Sequence, residues 1–263
     1  MQVNVNGKQV YAYTGGKAFD ARLPTVVFVH GAQHDHSVWI LQSRYLAHHG
    51  YGVLAFDLPG HGRSAGPALA RVEDLADWVA AGMDAAGVRL ASVVGHSMGS
   101  LIALDCAARH PARVAKIALL ANAYPMKVSD ELLAATRDDE PVAQDMVNIW
   151  SHLAYAQYPN NPGPGFWVIG ENLRLMQRQK AGVMHTDFAA CNAYAGGAEA
   201  AARVQCPALF VIARRDAMTP ARSARAFAQT VKGARTVMIE GSGHNMMGEK
   251  PDEVLDALVG FLK

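Results

Sequence analysis

Ser97, Asp216 and His244 have the side-chain types that nucleophilic catalysis requires, and they occur in that order along the chain. A serine hydroxyl attacks a carbonyl only when a base takes its proton and a carboxylate orients that base. Each of the three follows a short apolar run that is typical of a buried strand. Considered alone, Asp216 is also typical of a helix-capping residue, and His244 is also typical of a surface loop. Together with Ser97 they favour a catalytic triad. The sequence therefore predicts Ser97 as nucleophile, His244 as base and Asp216 as acid.

Ser97 lies in the motif Gly-His-Ser-Met-Gly at residues 95–99, between an apolar run and a helix-like segment. Glycines at both ends of such a motif let strand and helix approach closely, because neither has a Cβ atom. A Gly-x-Ser-x-Gly pattern alone is weak, since a glycine-rich turn also matches it. The flanking patterns favour a serine that is exposed in a sharp strand-to-helix turn.

Two backbone amides, those of Ala32 and Met98, are the predicted oxyanion donors. Ala32 follows a strand-like run through His30 and Gly31, and Met98 follows the serine at the start of a helix. Amides that point at a developing oxyanion supply a large electrostatic contribution to acyl transfer. An ordinary turn at a strand end would show the same residues, so this assignment depends on the triad.

The elements that must position these residues alternate between strand and helix. Apolar runs predict strands at residues 3–5, 10–13, 25–29, 52–56, 90–94, 114–120, 208–213 and 236–239. Helices are predicted at residues 37–49, 73–86, 98–109, 220–231 and 251–262. The first two strands flank Asn6 and Gly7, which favour a hairpin turn. The alternation predicts an α/β fold, with a mostly parallel, doubly wound eight-stranded sheet and helices on both faces.

One long segment interrupts the alternation, because no strand is predicted between residues 120 and 208. Helical segments are predicted near residues 129–157 and 170–195, with a proline- and glycine-rich non-helical stretch at 159–165. A helical insertion above a parallel sheet is typical of a lid. We therefore expect this segment to lie over the catalytic residues.

The predicted lid contains many apolar side chains, most of which we expect to pack within it. Trp150, Trp167 and Met176 are its predicted substrate contacts. Met246 follows the predicted base closely, and methionine adapts to irregular gaps, so it is also predicted to reach the pocket. Gln33, next to Ala32, is predicted to orient a substrate carbonyl through its amide.

Two features that resemble other kinds of site are interpreted as structural. Residues 34–36, His-Asp-His, alternate along one loop and have no third ligand in sequence reach, so we expect a polar rim and no metal site. Asp57 stands in a Pro-Gly-His-Gly context that is typical of a turn, which argues against a catalytic role. A serine triad requires neither a metal nor an organic cofactor, and none is predicted.

Composition and charge narrow the class of protein. The chain has 263 residues, of which 51% are apolar and 18% charged, and this supports a sizeable core. The net charge is +1 without a basic run, so neither nucleic acid nor an anionic membrane is an expected partner. No signal peptide or membrane-spanning run is visible, and three widely spaced cysteines predict free thiols. We expect a cytoplasmic protein that acts on a small-molecule acyl substrate, and homo-oligomerisation is left open.

These motifs resemble those of the α/β-hydrolase superfamily over essentially the whole chain. The matching segments are residues 30–31, 57–64, 95–99, Asp216 with Pro220, and 243–244. The resemblance implies the same triad, a core at residues 1–121 and 203–263, and a helical cap at 122–202. One departure is Ala213, which stands where the loop of the acid usually opens with glycine.

The triad and the resemblance together predict a serine esterase that hydrolyses a carboxylic ester or a related acyl compound through an acyl-enzyme. A cofactor-free perhydrolase shares the triad and stays an alternative. Carbon–carbon bond hydrolases of aromatic degradation are similar, but they tend to differ from this chain at residues 32–34, His96 and Asn245. Haloalkane dehalogenases and epoxide hydrolases use an aspartate nucleophile, which Ser97 argues against. A ligand-binding receptor with an idle triad is the alternative that is not an enzyme.

Overall fold

The apolar runs of the sequence form one eight-stranded sheet in the computed structural model, which describes residues 1–157 and 167–263. The strands are β1 (Gln2–Val5), β2 (Lys8–Tyr13), β3 (Thr25–Val29), β4 (Gly52–Phe56), β5 (Ala91–His96), β6 (Val114–Leu120), β7 (Ala208–Ala213) and β8 (Arg235–Ile239). Their order across the sheet is β1-β2-β4-β3-β5-β6-β7-β8. β1 and β2 pair antiparallel, and β3 to β8 are parallel. The predicted mostly parallel α/β sheet is confirmed.

Helices cover both faces of this sheet. They are α1 (Ile40–His48), α2 (Val72–Ala85), α3 (Met98–Arg109), α4 (Asp130–Asp138), α5 (Glu140–Ser151), α6 (Val168–Gln177), α7 (Val183–Ala193), α8 (Gly197–Arg203), α9 (Ala221–Ala228), α10 (Met246–Glu249) and α11 (Pro251–Leu262), with short 3-10 helices at His36–Trp39 and Ala154–Gln157. α2, α3 and α9 pack on one face, and α1 and α11 pack on the other. The predicted double winding is therefore confirmed. Across the described ranges, none of the helices combines the length and the apolarity needed to cross a membrane.

The central strands are buried on both faces, which explains their uninterrupted apolar sequences. In β3, Val27 and Val29 pack into the cluster with α2 and α3, whereas Val26 and Phe28 pack into the cluster with α1 and α11. This alternation follows from the two-residue period of a strand. The ring of Phe28 lies 4.9 Å from that of Trp39, between centroids. Burying one such aromatic ring contributes about 2 kcal/mol of hydrophobic stabilisation.

β5 runs to His96, beyond its predicted end at residue 94. Gly95 and His96 pair with Leu119 and Leu120 of β6, so the backbone ladder continues up to the serine. Backbone hydrogen bonding does not require an apolar side chain, and apolar patterning therefore misses the last residues of this strand.

The described residues between β6 and β7 form helices and no strand, and we call α4 to α8 the insertion. α4 to α7 share an apolar cluster of their own, with the buried members Leu132, Ala143, Val147, Met176, Met184 and Phe188. α8 instead packs on α3, and its Ala200 belongs to the core cluster. The cap boundaries at 122–202 stay a prediction, and the predicted non-helical stretch at 159–165 lies outside the described residues.

Candidate active site

Ser97 lies in a sharp turn between β5 and α3. Its backbone has φ +52° and ψ −119°, and residues with a side chain rarely adopt a positive φ. Two glycines make this turn sterically feasible. A Cβ atom on Gly95 would collide with the carbonyl of Gly99, and one on Gly99 would collide with the carbonyl of Val29. The strand and the helix thus approach to a distance that only glycine permits.

Hydrogen bonds hold the serine in this strained conformation. The Ser97 amide donates to the Leu120 carbonyl over 2.9 Å, and the Ser97 carbonyl accepts from the Ser100 hydroxyl over 2.6 Å. The side-chain amide of Asn122 donates in turn to the Ser100 hydroxyl, at 2.7 Å. Ser97 is partly exposed, so a bound molecule can reach its hydroxyl.

Asp216 and His244 form a buried pair at the ends of β7 and β8. His244 Nδ1 lies 2.8 Å from Asp216 Oδ2, so this carboxylate engages Nδ1 and not the other ring nitrogen, Nε2. Asp216 also accepts from the amides of Met218 and Thr219, at 2.8 and 2.7 Å, and from the Thr219 hydroxyl at 2.6 Å. Burial alone would raise the pKa of Asp216, but the neighbouring His244 and these hydrogen bonds outweigh it and lower the pKa below the usual value. The carboxylate therefore stays ionised and can stabilise an imidazolium.

His96 lies beside His244 and carries no charge. Its Nε2 donates to the carbonyl of His244 over 2.9 Å, and the two ring centroids lie 4.8 Å apart. Burial, with a smaller contribution from His244, lowers the pKa of His96 well below its usual value. A neutral His96 thus fixes the loop of His244.

Ser97 and His244 line the same cavity, which has a volume of about 350 Å³. The core and the helices α4, α5 and α7 of the insertion form its walls together. Most of its lining is apolar, and includes Met126, Val128, Leu132, Phe188 and Met218. The cavity can therefore hold the apolar part of a substrate next to the serine.

The two predicted oxyanion donors lie near the serine. Ala32 lines the cavity that contains Ser97. Met98 is the first residue of α3, so its backbone N–H lies in the first helical turn and has no acceptor within the helix. A helix N-terminus also favours negative charge. The assignment of these amides to an oxyanion hole stays a prediction.

The five predicted substrate contacts lie in different places. Trp150 lines the cavity and is 37% exposed, whereas Trp167 is 67% exposed. Met176 lies in the buried cluster of the insertion, and Met246 lies in the core cluster with α1 and α11. Gln33 is buried, and its amide donates to a carboxylate of α5 at 2.8 Å and to a carbonyl of α6 at 3.1 Å. Of these five, only Trp150 lines the cavity in the part of the chain that the structure describes.

Sequence reasoning does not single out several residues of the cavity wall, among them Met218, Phe188 and Lys127. Met218 stands two residues after Asp216, and this proximity was the available signal. Phe188 lies on the buried face of α7, but the polar Asp187 shares that face and the more exposed face carries Ala189 and Ala193, so the apolar pattern of the sequence does not mark one face. No motif marks Lys127, because its place depends on how the chain leaves β6.

Asp35, His36 and Asp57 have potential ligand atoms within 4.8 Å of one another. Asp57 Oδ1, however, accepts from the His36 amide at 2.8 Å and lies 2.6 Å from His36 Nδ1. Asp35 accepts two hydrogen bonds from the Arg178 guanidinium, at 2.7 and 2.6 Å. Protein partners thus engage each of the three groups, an arrangement that fits a structural network better than a metal centre.

Comparison with known proteins identifies the family. Residues 26–257 match the model of the alpha/beta hydrolase family. A pimeloyl-[acyl-carrier protein] methyl ester esterase of Neisseria meningitidis serogroup C is 30% identical over 206 residues, which cover 73% of this chain and 75% of that protein. The dihydrolipoyllysine-residue acetyltransferase component of the acetoin cleaving system of Cupriavidus necator is 42% identical over 120 residues. These residues cover 44% of this chain but only 30% of the length of that relative.

A solved structure resembles the fold over its full length. The enol-lactonase from Burkholderia xenovorans LB400 matches with a TM-score of 0.88 and 25% sequence identity, covering 100% of this chain and 99% of that chain. The family match, this likeness and the eight-stranded sheet agree with one another. The chain therefore belongs to the alpha/beta hydrolase family, and it is a hydrolase.

Proposed function

We propose that this hydrolase cleaves carboxylic esters and related acyl compounds through a serine acyl-enzyme. The observation that carries the proposal is the 2.8 Å contact between His244 Nδ1 and Asp216 Oδ2, made by a histidine that lines the same cavity as Ser97. An oriented imidazole and an accessible serine at one cavity are the parts that acyl transfer needs. The likeness to a methyl ester esterase and to an enol-lactonase supports the same chemistry.

The proposed reaction proceeds in two stages. His244 takes the proton of the Ser97 hydroxyl as the oxygen attacks the substrate carbonyl, and the amides of Ala32 and Met98 stabilise the resulting oxyanion. His244 then protonates the leaving alcohol, which departs. Water, activated by the same imidazole, hydrolyses the acyl-enzyme and restores the serine. The negative charge of Asp216 stabilises the imidazolium in both stages, and no step requires a metal or an organic cofactor.

Replacing the nucleophile tests this proposal. Ser97→Ala should lower kcat for a p-nitrophenyl ester by at least about three orders of magnitude, since it removes the group that forms the acyl-enzyme. The measurement is steady-state hydrolysis of esters of graded acyl length, together with mass spectrometry after treatment with a fluorophosphonate. The reagent should label the wild type and leave Ser97→Ala unlabelled. Ser223→Ala, on the exposed side of α9, is the matched control and should stay within about twofold of the wild type.

The same substrate panel separates the alternative functions. A dienoate that is cleaved faster than every ester would indicate a carbon–carbon bond hydrolase, and activity that requires hydrogen peroxide would indicate a perhydrolase. Labelling of Ser97 without turnover of any compound would indicate a ligand-binding receptor. Near-wild-type ester turnover by Ser97→Ala would contradict a serine mechanism altogether.

We also propose that the enzyme acts in the cytoplasm. Its cysteines, Cys106, Cys191 and Cys206, are free, and the first two are buried. Free thiols are typical of proteins in a reducing compartment, which supports this location.

A further inference from the structure

Gln33, the residue after the proposed oxyanion donor Ala32, has a backbone conformation that requires external support. Its φ is +58°, in the left-handed region that residues with a side chain rarely adopt. Gln33 is also fully buried, so protein groups and not solvent must stabilise this conformation. Strain of this kind persists where the surrounding structure holds it in place.

Three helices of the insertion provide that support. The backbone N–H of Gln33 donates to Asp187 Oδ2 on α7 over 2.8 Å. The side-chain Nε2 donates to Glu140 Oε1 on α5 over 2.8 Å and to the Met176 carbonyl on α6 over 3.1 Å. A loop residue of the core is therefore bound on its backbone and on its side chain by the insertion.

Asp187 is itself held by a histidine from the core, His61. His61 Nε2 lies 2.8 Å from Asp187 Oδ2, and His61 Nδ1 lies 3.0 Å from the Pro59 carbonyl. Both ring nitrogens thus face oxygen acceptors, and only the protonated ring can donate to both. Burial opposes protonation, but Asp187 outweighs it and raises the pKa of His61. The buried carboxylate is therefore fixed between the His61 ring and the Gln33 amide.

These contacts fix the peptide plane between Ala32 and Gln33 at both of its edges. The N–H of this peptide donates to Asp187, and its C=O, on Ala32, lies 2.7 Å from His34 Nδ1. The orientation of this plane sets the ψ angle of Ala32 and, with it, the path of the chain that carries the Ala32 N–H. Ala32 lines the cavity at Ser97, and the Cα atom of Ala32, which lies in this plane, carries the nitrogen of the proposed oxyanion donor.

We propose that Gln33 and Asp187 are positioning residues, through which the insertion holds the Ala32 amide in the orientation that an oxyanion requires. The proposal rests on the function argued above, in which that amide is an oxyanion donor. The insertion then contributes to the rate of the chemical step in addition to enclosing the substrate. Gln33 acts through Ala32 and does not line the substrate cavity in the described part of the chain.

Gln33→Gly is the first test, because glycine accepts the positive φ while it removes both hydrogen bonds of Nε2. We expect kcat for the best ester to fall about 10- to 100-fold, with KM within about twofold of the wild type. The inhibition constant of phenylboronic acid, which forms a tetrahedral adduct on the serine, should rise by the same factor as kcat falls. A loss of folding alone does not produce this proportionality.

Asp187→Ala and Asp187→Asn form the second test. The alanine variant removes the acceptor of the Gln33 backbone amide and should show the same loss in kcat. The asparagine variant keeps one oxygen in that place and should recover most of the rate. If Asp187→Ala does not fold, because it leaves His61 without its partner, the Gln33→Gly result decides the proposal.

Arg178→Gln is the matched control. Arg178 follows α6 and donates to Asp35 of the core over 2.7 and 2.6 Å, so it also joins the insertion to the core, but it does not touch the Ala32–Gln33 peptide. Its kcat should stay within about threefold of the wild type. Equal losses in Arg178→Gln and Gln33→Gly would show general loosening and overturn the proposal, as would a raised KM with unchanged kcat in Gln33→Gly. Wild-type kcat in Gln33→Gly with an inactive Ser97→Ala would overturn this proposal alone and leave the esterase function intact.

Discussion

Asp216 has more hydrogen-bond donors around it than one histidine supplies. It accepts from two backbone amides and from the Thr219 hydroxyl as well as facing His244. These donors favour its ionised form and leave it unsuited to receive a proton from the base. Its role in the proposed mechanism is thus to orient the imidazole and to stabilise its positive charge.

Asp216→Asn tests that role. The asparagine keeps the shape of the side chain but favours the wrong tautomer of His244, so kcat should fall by about three to four orders of magnitude, with KM nearly unchanged. Steady-state kinetics with the best ester of the panel measure the loss. Thr219→Val, which removes one donor to the carboxylate, should lose far less. A rate close to that of the wild type in Asp216→Asn would exclude Asp216 as the acid.

At the scale of elements, the turn between β5 and α3 depends on two glycines whose surroundings leave no room for a side chain. The three atoms nearest to a Cβ on Gly95 all belong to the backbone of α3, so the helix itself would have to move. Gly260, near the end of α11, offers a contrast, since no atom of residues 1–157 or 167–263 lies within 4 Å of the position that a Cβ atom would take there.

Gly95→Ala should therefore lower the free energy of unfolding by about 2–3 kcal/mol or more, and kcat should fall with it because Ser97 is displaced. Gly260→Ala should raise the free energy of unfolding by about 0.5–1 kcal/mol, because alanine favours the helix. Urea unfolding followed by circular dichroism measures both. Equal stability of the two variants would show that the close approach of β5 and α3 is not required.

The whole molecule contains several histidines that burial keeps neutral. Burial lowers the pKa of His30 and of His152 to about 4 in each case, and lowers that of His96 well below its usual value. In the unfolded chain these histidines have a pKa of about 6.5, so on acidification the unfolded state takes up protons that the folded state does not. His61, whose pKa is raised by Asp187, acts in the opposite direction but is a single group.

The free energy of unfolding should therefore be highest above about pH 7.5 and fall by about 2–3 kcal/mol between pH 6.5 and 5.5. Urea titrations at several pH values between 8 and 5.5 measure this dependence. His152→Gln should make it shallower, whereas His48→Gln, at an exposed position of α1, should leave it unchanged. A free energy that stays constant or rises on acidification would contradict neutral buried histidines.

The sequence predicts the sheet and its helices well because their patterns are local. Apolar runs that are buried on both faces define β3 and β4. Pro251 is the first residue of α11 and marks the start of that helix. Where a local pattern is absent, the prediction stops short. β5 continues through Gly95 and His96 because β6 pairs with them, and this pairing involves residues more than twenty positions away.

The sequence by itself determined the residue types that can do the chemistry, Ser97, Asp216 and His244, and their positions at the ends of parallel strands. It did so because the order of strands along the chain brings their carboxyl ends to one edge of the sheet. Only the tertiary structure decided what surrounds them. Trp150 lines the cavity whereas Trp167 is largely exposed, and Gln33 is bound by the insertion instead of facing a substrate. The physical reason is that the orientation of each helix of the insertion depends on contacts with distant residues, which no local pattern encodes.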